Sequence, residues 1–373
     1  MSQPITIIGG GLAGLALGVG LRRQGIPVTI GEAGHYPRQR VCGEFISGRG
    51  QQALSRLGLD AVLTGAGAVP ARTAAFFSAS KSSPSRALPV PAVCLSRWQL
   101  DAGLAAQFRS LGGDLQEGRR LDPAETGEGI VRANGRRLAE NGRGPRWFGL
   151  KIHARNVPLV ADLELHVSSL GYVGLCRVED GEVNVCGLFH HRTSGAGWGR
   201  PVPAKGGITP PPAYPPASAL GTSHPHPRDA WQLLMGQPGS PLHDRLAGAG
   251  FIEDSFCAVA GLTLEPARAA LHPEVCLGDA LTMIPPFTGN GMSLAFESAE
   301  LALEPLVAWS RGTRSWTEAR GEISRRCDGQ FARRLAWAKW LQRLILTAPL
   351  QNLLVSLAGR NDWFWRVAFE KTR

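Results

Sequence analysis

Six residues near the amino terminus, Gly9-Gly10-Gly11-Leu12-Ala13-Gly14, fit G-x-G-x-x-G, with Gly9, Gly11 and Gly14 in the three required places. They follow a β-branched run, Ile5-Thr6-Ile7-Ile8, and open a stretch of helical composition over residues 12–24. A second apolar run, Pro27-Val28-Thr29-Ile30, ends at Gly31-Glu32. A strand, a glycine turn, a helix and a strand within about 30 residues are the context in which this motif holds the diphosphate of a dinucleotide. Gly9 permits the tight turn, Gly11 lets the backbone approach the diphosphate, and Gly14 lets helix and strand pack closely. Leu12 and Ala13 stand where the helix begins, and its free N–H groups and positive dipole end favour phosphates. Glu32, about 20 residues on, is placed to accept ribose hydroxyls.

A second block lies far along the chain: Gly278-Asp279-Ala280, then Pro285-Pro286-Phe287-Thr288-Gly289-Asn290-Gly291-Met292. It comes after a predicted strand at Val275-Cys276-Leu277 and before a predicted helix over 290–309. An aspartate after glycine at a strand end can reach a sugar-alcohol hydroxyl. Gly289, Asn290 and Gly291 offer close backbone N–H groups to a heterocycle or phosphate, and Pro285 and Pro286 stiffen the approach.

The elements between these blocks change character. Helices are expected over 47–63 and 96–111, and a Ser/Pro-rich loop or hairpin over 78–91. Residues 147–190 hold several short apolar runs separated by turn residues, and Asp180-Gly181 is a hairpin signal, so an antiparallel sheet is expected there. Residues 194–228 are rich in Gly, Pro, Ala and Ser and read as a long loop or disordered insertion. Helix returns over 229–249 and a strand over 251–262. The carboxy-terminal part is helical, basic and rich in tryptophan. Its segment from Phe331 to Leu346 suits either a membrane surface or, as the preferred reading, a lid packed on the core with arginines outward and tryptophans inward.

Lys+Arg is 40 against Asp+Glu 30, a formal charge of +10 in 373 residues. A balance this modest suits phosphate-bearing ligands or an anionic membrane, and no basic run or nucleic-acid signature is present, so nucleic acid is not an expected partner. The 7 cysteines are odd in number, widely spaced and without a C-x-x-C pair. That argues against a disulfide scaffold and a structural zinc site, and no metal is expected. A reducing cytosol is the simplest location. The amino terminus lacks a basic region before its apolar run, which argues against a signal peptide, and no run of 18 apolar residues is present to span a bilayer.

Together the two glycine blocks resemble those of the FAD-dependent oxidoreductases of the aromatic-hydroxylase and geranylgeranyl-reductase superfamily. The likeness covers most of the chain except 194–250 and the last 60 residues. In Leu95-Ser96-Arg97-Trp98-Gln99-Leu100-Asp101, Arg97 matches an arginine that in the family touches the ribityl and phosphate of the flavin. Asp279 matches the aspartate that binds the ribityl chain, and Pro286, Gly289, Asn290, Gly291 and Met292 match the loop beside the isoalloxazine ring. Arg40-Val41-Cys42-Gly43-Glu44 matches a Cys-Gly block near the flavin in the geranylgeranyl-reductase branch. Arg40 is therefore a cofactor-binding candidate and Cys42 a catalytic one, able to tune the ring or donate a proton; the plain alternative for Cys42 is a buried small residue. The chain departs from the hydroxylase pattern at Asn134, where aspartate is usual in a motif tied to nicotinamide handling, and at Ala280-Leu281-Thr282, where a histidine is absent. The W-x-W-x-I-P motif of flavin halogenases is absent, and Lys81 is the one candidate for the halogenase lysine. His153, His166, His190 and His191 are weighed as an acid or base near a phenol, against satisfied sheet or loop residues.

These readings give an α/β fold: a Rossmann-like FAD domain from 1–75, 91–145 and 257–310, an inserted antiparallel-sheet substrate domain over 146–256, and a helical cap over 311–373. The resemblance implies an FAD-dependent oxidoreductase using NAD(P)H. A monooxygenase acting on a lipophilic aromatic or polyketide-type substrate is favoured. The alternatives are a C=C reductase acting on a polyprenyl chain, and a flavin- or lipid-binding protein without turnover. A cytoplasmic protein, with peripheral membrane contact through its C-terminal helices, is expected.

Overall fold

The computed structural model describes residues 2–122, 126–135, 147–190, 227–262, 264 and 266–372. The β-branched run at the amino terminus forms β1 (Ile5–Ile8), and the glycine turn leads into α1 (Leu12–Arg23) and then β2 (Val28–Glu32). The two strands pair in parallel, Ile5 opposite Val28, which demands a crossover connection, and α1 supplies it. With β6 (Asp114–Glu117), β7 (Ile130–Arg132) and β13 (Val275–Cys276) they make a five-stranded parallel sheet of order β13-β7-β1-β2-β6. Parallel sheets are covered on both faces. Accordingly Ile5, Ile7 and Ile30 are fully buried, and so are Leu15, Leu17 and Val19 of α1. Helix α1 packs against α4 (Arg97–Ser110) and α7 (Gly291–Ser310).

The antiparallel sheet expected over 147–190 is present as β8 (Trp147–Arg155), β9 (Leu163–Ser168), β10 (Gly171–Arg177) and β11 (Val183–His190). At the Asp180-Gly181 turn both residues take positive φ, 57° and 72°, as a tight hairpin between twisted strands requires. The sheet is larger than expected. It has eight strands in the order β12-β8-β11-β10-β9-β4-β5-β3. It takes in β12 (Gly250–Leu262) and, from early in the chain, β3 (Phe45–Ile46), β4 (Val69–Phe77) and β5 (Arg86–Cys94). Of the loop or hairpin expected over 78–91, the structure has the hairpin: β4 and β5 pair antiparallel, Thr73 opposite Ala87, and residues 86–91 lie in its second strand. The prolines at 89 and 91 are tolerated because β3 pairs β5 only at Val93 and Cys94, leaving the outer edge before them without a ladder. Strand β4 joins the sheet by a parallel pairing with β9, Ala74 opposite Leu163.

Helix α2 (Gly48–Arg56) packs on α7 and β5, and α3 (Asp60–Gly65) on α4; α5 (Pro227–Met235) packs on β11 and on α6 (Pro241–Leu246). The insertion expected over 194–228 lies, but for its last two residues, outside the described residues, as does His191.

The chain ends in α8 (Trp316–Ile345), α9 (Ala348–Arg360) and α10 (Asp362–Thr372). A capping box between Ser315 and Glu318 starts α8. The helix packs on α7, but its sidedness corrects the sequence expectation. Phe331, Leu335, Ala338 and Ile345 set the inward face at helical spacing. Arg334 falls on that face, buried, and its Nη1 donates to Glu297 Oε2 at 2.6 Å. Trp337 and Trp340 fall opposite and are 36% and 50% exposed.

Candidate functional site

A cavity of about 1140 Å³ lies between the two sheets and reaches the carboxy-terminal helices. One end is the β1–α1 turn. Gly9 holds φ at 105°, and a Cβ there would come within 2.5 Å of the Ala133 carbonyl oxygen. A Cβ on Gly14 would come within 2.1 Å of the Gly9 carbonyl oxygen. Both glycines are thus explained by the protein's own packing. Gly11 is different: a Cβ there would meet nothing nearer than 3.9 Å, and the residue faces the cavity. It is the N-cap of α1, no side chain caps the helix, and the first turn carries no acidic residue. A bare backbone at an uncapped helix N-terminus, opening on a cavity, fits a diphosphate.

Glu32, at the end of β2, lines the same end of the cavity. Its Oε2 accepts from Gly10 N–H at 2.8 Å and its Oε1 from Gly34 N–H at 2.8 Å and from Arg38. Burial alone would raise its pKa, but Arg38 and the two backbone donors outweigh it and hold the carboxyl at about 2, so it is a carboxylate at neutral pH. Tyr36 donates its hydroxyl hydrogen to the Gly10 carbonyl, and Arg38 donates to the same oxygen at 3.2 Å. A Cβ on Gly10 would strike the Tyr36 hydroxyl at 2.1 Å. Tyr36 and Arg38 carry no sequence signal, because they act from a patternless loop beyond the motif.

Leu12, Ala13, Arg40, Cys42, Arg97, Asp279, Pro286, Gly289, Gly291 and Met292 also line the cavity. The structure thus gathers residues separated by more than 250 positions. It does not bring Gly14 or Asn290 to the cavity. Asn290 is fully buried, and its Oδ1 accepts from Ser47 Oγ at 3.0 Å, buckling the 285–291 loop to α2. Gly289 has φ 67°, and a Cβ on it would strike the Phe45 ring at 2.7 Å. Arg40 makes no ion pair among the described residues. Arg97 is committed in part: its Nε and Nη2 each donate to Asp101 at 2.7 Å. Burial pushes the Cys42 thiol up against the opposing pull of Arg97, so Cys42 presents a protonated thiol rather than a thiolate.

Residues 2–146 match the family model described as an FAD binding domain. This amino-terminal part of the chain is an FAD binding domain. FAD is its cofactor, and the glycine-walled end of the cavity fits it. Across nearly its whole length this flavoprotein also has the fold of solved flavoproteins. A triple mutant of the flavin-dependent brominase Bmp2 is 16% identical, with 99% of this chain and 94% of that one covered at a TM-score of 0.68. PqsL, a probable FAD-dependent monooxygenase from Pseudomonas aeruginosa, is 16% identical, with 95% and 99% covered at 0.66. The squalene epoxidase erg1 of Aspergillus fumigatus is 41% identical over 68 residues, a stretch that spans 18% of this chain and 14% of the epoxidase.

The rest of the flavoprotein's cavity is mostly apolar; Glu164, its carboxylate held by His166 and Arg245, is the charged side chain among the residues lining this part. Phe76 and Leu88 of the sheet line it with Leu341, Val355, Trp365 and Phe369 of the last three helices, and Phe76 meets Trp365 edge to face at 5.6 Å. Where polar and apolar parts meet stands Glu44, fully buried, with φ 53°. It accepts from the Arg97 N–H at 2.9 Å, pairs with Lys151 Nζ at 3.1 Å and contacts His153 Nε2 at 2.7 Å. Burial alone would raise its pKa; His153 and Lys151 outweigh that and lower it. His153 reaches Glu182 at 3.1 Å with its other nitrogen. No described histidine lines the cavity. His166 stacks on Phe77 with ring centroids 4.5 Å apart and contacts Glu164, and His190 contacts the Ser169 carbonyl. Lys81 is exposed and does not line the cavity. Among the described residues no group of three or more His, Cys, Asp or Glu could hold a metal.

Proposed function

We propose that this flavoprotein is an FAD-dependent monooxygenase, reduced by NAD(P)H, that acts on a lipophilic substrate. One observation carries the reading: the glycine-walled cradle and the apolar chamber are ends of a single cavity. In this reading Gly9, Gly11, Leu12 and Ala13 hold the diphosphate, with Arg40 and Arg97 supplying positive charge, and Glu32 accepts ribose hydroxyls. Asp279 takes the ribityl chain, and Pro286, Gly289, Gly291 and Met292 flank the ring. Asn290 serves by bracing that loop. Bound FAD supplies the electrons that activate oxygen, and the apolar walls hold the substrate and exclude water from the reacting atom. The short likeness to a squalene epoxidase supports an apolar substrate.

The purified protein is expected to be yellow, to bleach when NADPH is added under argon, and to consume oxygen faster once a lipophilic substrate is present. Substrate reduction without oxygen would overturn monooxygenation in favour of C=C reduction. A protein that NADH and NADPH both fail to bleach would point to binding without turnover.

We further propose that the exposed side of α8 rests on an anionic membrane surface. Trp337 and Trp340 meet edge to face at 5.4 Å, and Arg333, Lys339 and Arg343 are exposed beside them. Among the described residues no helix is long and apolar enough to cross a membrane. All 7 cysteines are free thiols, which suits a cytoplasmic location. Leu341 and Ile345 of the same helix line the chamber, so a lipophilic substrate has a short path from the bilayer. The protein is expected to sediment with phosphatidylglycerol vesicles, and replacing both tryptophans by serine should weaken this by roughly tenfold or more, given the apolar area each buries. Equal sedimentation of the two proteins would refute the contact.

A further inference from the structure

Two buried polar groups face the apolar chamber without a partner among the described residues: the Tyr172 hydroxyl and the Gln351 Nε2. Each residue is 7% exposed. Tyr172 is fixed from three sides. It lies on β10 between Val167 of β9 and Leu188 of β11, and its ring meets Phe287 edge to face at 5.7 Å. Burial pushes its hydroxyl well up, so it stays an O–H donor. Gln351 reaches the chamber from α9, one turn before Leu354 and Val355, which line it too.

Buried donors are nearly always paired in folded proteins. Glu164 also lines the cavity, but its carboxylate is already taken by the Val160 N–H, His166 and Arg245; the two orphans in the mostly apolar chamber therefore mark positions where a ligand atom completes the pairing. Neither group carries a charge, so an anionic head has no counter-ion at this end of the chamber. A plain hydrocarbon would leave both donors unpaired and would be bound less tightly for it.

We infer that the chamber binds a mostly apolar molecule bearing neutral oxygen acceptors, hydroxyl or carbonyl, which take hydrogen bonds from Tyr172 O–H and Gln351 N–H. This rests on reading the chamber as the substrate site. It narrows the substrate class to oxygenated lipophiles and sets hydrocarbons such as squalene aside as preferred ligands. Tyr172 and Gln351 are specificity residues, with no step of the reaction assigned to them.

Equilibrium dialysis of the FAD-loaded protein against the matched probes 2-naphthol and naphthalene tests this without turnover. The wild type should bind 2-naphthol at least tenfold more tightly, roughly what one buried hydrogen bond confers. The double variant Tyr172→Phe, Gln351→Leu should lose that preference, keep its affinity for naphthalene, and melt at or above the wild-type temperature, since two orphan polar groups have been removed. Equal binding of the probes by the wild type, or a preference that survives in the double variant, overturns the inference. So does a double variant that binds neither probe and melts lower, which would show that the two groups serve the fold. Protein that discriminates the probes but never consumes oxygen would sink the monooxygenase reading alone. Protein that consumes oxygen with a substrate but treats the probes alike would sink this inference alone.

Discussion

Gly11→Asp is expected to weaken FAD binding some hundredfold or more while leaving the apoprotein as stable as the wild type or slightly more so. The two effects have opposite sign because Gly11 answers to the ligand and not to the fold. Its backbone is ordinary, φ −79° and ψ −174°, and it caps α1 with no side-chain hydrogen bond. Aspartate is a favoured N-cap, gaining a few tenths of a kcal/mol over glycine, and its charge at the positive helix end adds about 0.3–1 kcal/mol. Nothing within 3.9 Å opposes the new Cβ. The same carboxylate projects into the cradle, where it would occupy space and repel the diphosphate. A repulsion of about 3–4 kcal/mol, reasonable for like charges in contact near a surface, corresponds to an affinity loss of some hundredfold or more. Thermal melts of apoprotein and flavin titration, run side by side, read both numbers. Retained FAD affinity would place the diphosphate elsewhere. Gly14→Ala makes the contrast: its Cβ would strike backbone at 2.1 Å, so it is expected to damage the fold itself.

What could be read from the sequence follows from how far each interaction reaches along the chain. The cradle was legible because its turn, its helix and Glu32 fall within one strand–helix–strand unit whose glycines are demanded by backbone geometry. The hairpin at Asp180-Gly181 was legible for the same reason. Arg97 could be placed at the cavity only through resemblance, and the resemblance did not show that Asp101 holds two of its donors. The eight-stranded sheet was underestimated because β4 pairs in parallel with β9, partners 89 positions apart at Ala74 and Leu163, and no local pattern encodes such a pairing. The two prolines of β5 left loop and hairpin both open over 78–91, since the edge that tolerates them exists only once β3 stops short. On α8, residue type misled where spacing would have served. Arginine was expected outside and tryptophan inside, but the row Phe331, Leu335, Ala338 and Ile345 decides which side is buried, and Arg334 goes in with Glu297 as its partner. Glu44 appeared in the sequence as the third member of a Cys-Gly-Glu block. Its partners at 151 and 153 lie on the second sheet, so its role emerged only in three dimensions.

That role leads to a large expected loss. Glu44→Gln keeps shape but exchanges one acceptor oxygen for a donor NH2, and it removes the charge that compensates Lys151, whose side chain is wholly buried and has Gln39 Oε1, at 2.5 Å, as its other hydrogen-bond partner. Breaking a buried pair from one side typically loses about 3–5 kcal/mol, because the remaining charge is stranded. Replacing both members with neutral residues, Glu44→Gln with Lys151→Met, is expected to recover most of that. The pH dependence separates this from a packing defect. The pKa of Glu44 is lower folded than unfolded, so its stabilisation is fully present above the ordinary carboxylate range and fades as pH falls through the folded value. Urea melts from pH 7 to pH 3 should therefore show the wild type losing stability toward acid more steeply than the double variant. Equal stability of single and double variants at pH 7 would dismiss the stranded charge. The consequence reaches the cofactor as well. Glu44 closes the loop that carries Arg38, Arg40 and Cys42 along the cavity wall and ties it, through Lys151 and His153, to the second sheet. A protein that loses this tie is expected to lose FAD affinity along with stability, and the double variant to regain both together.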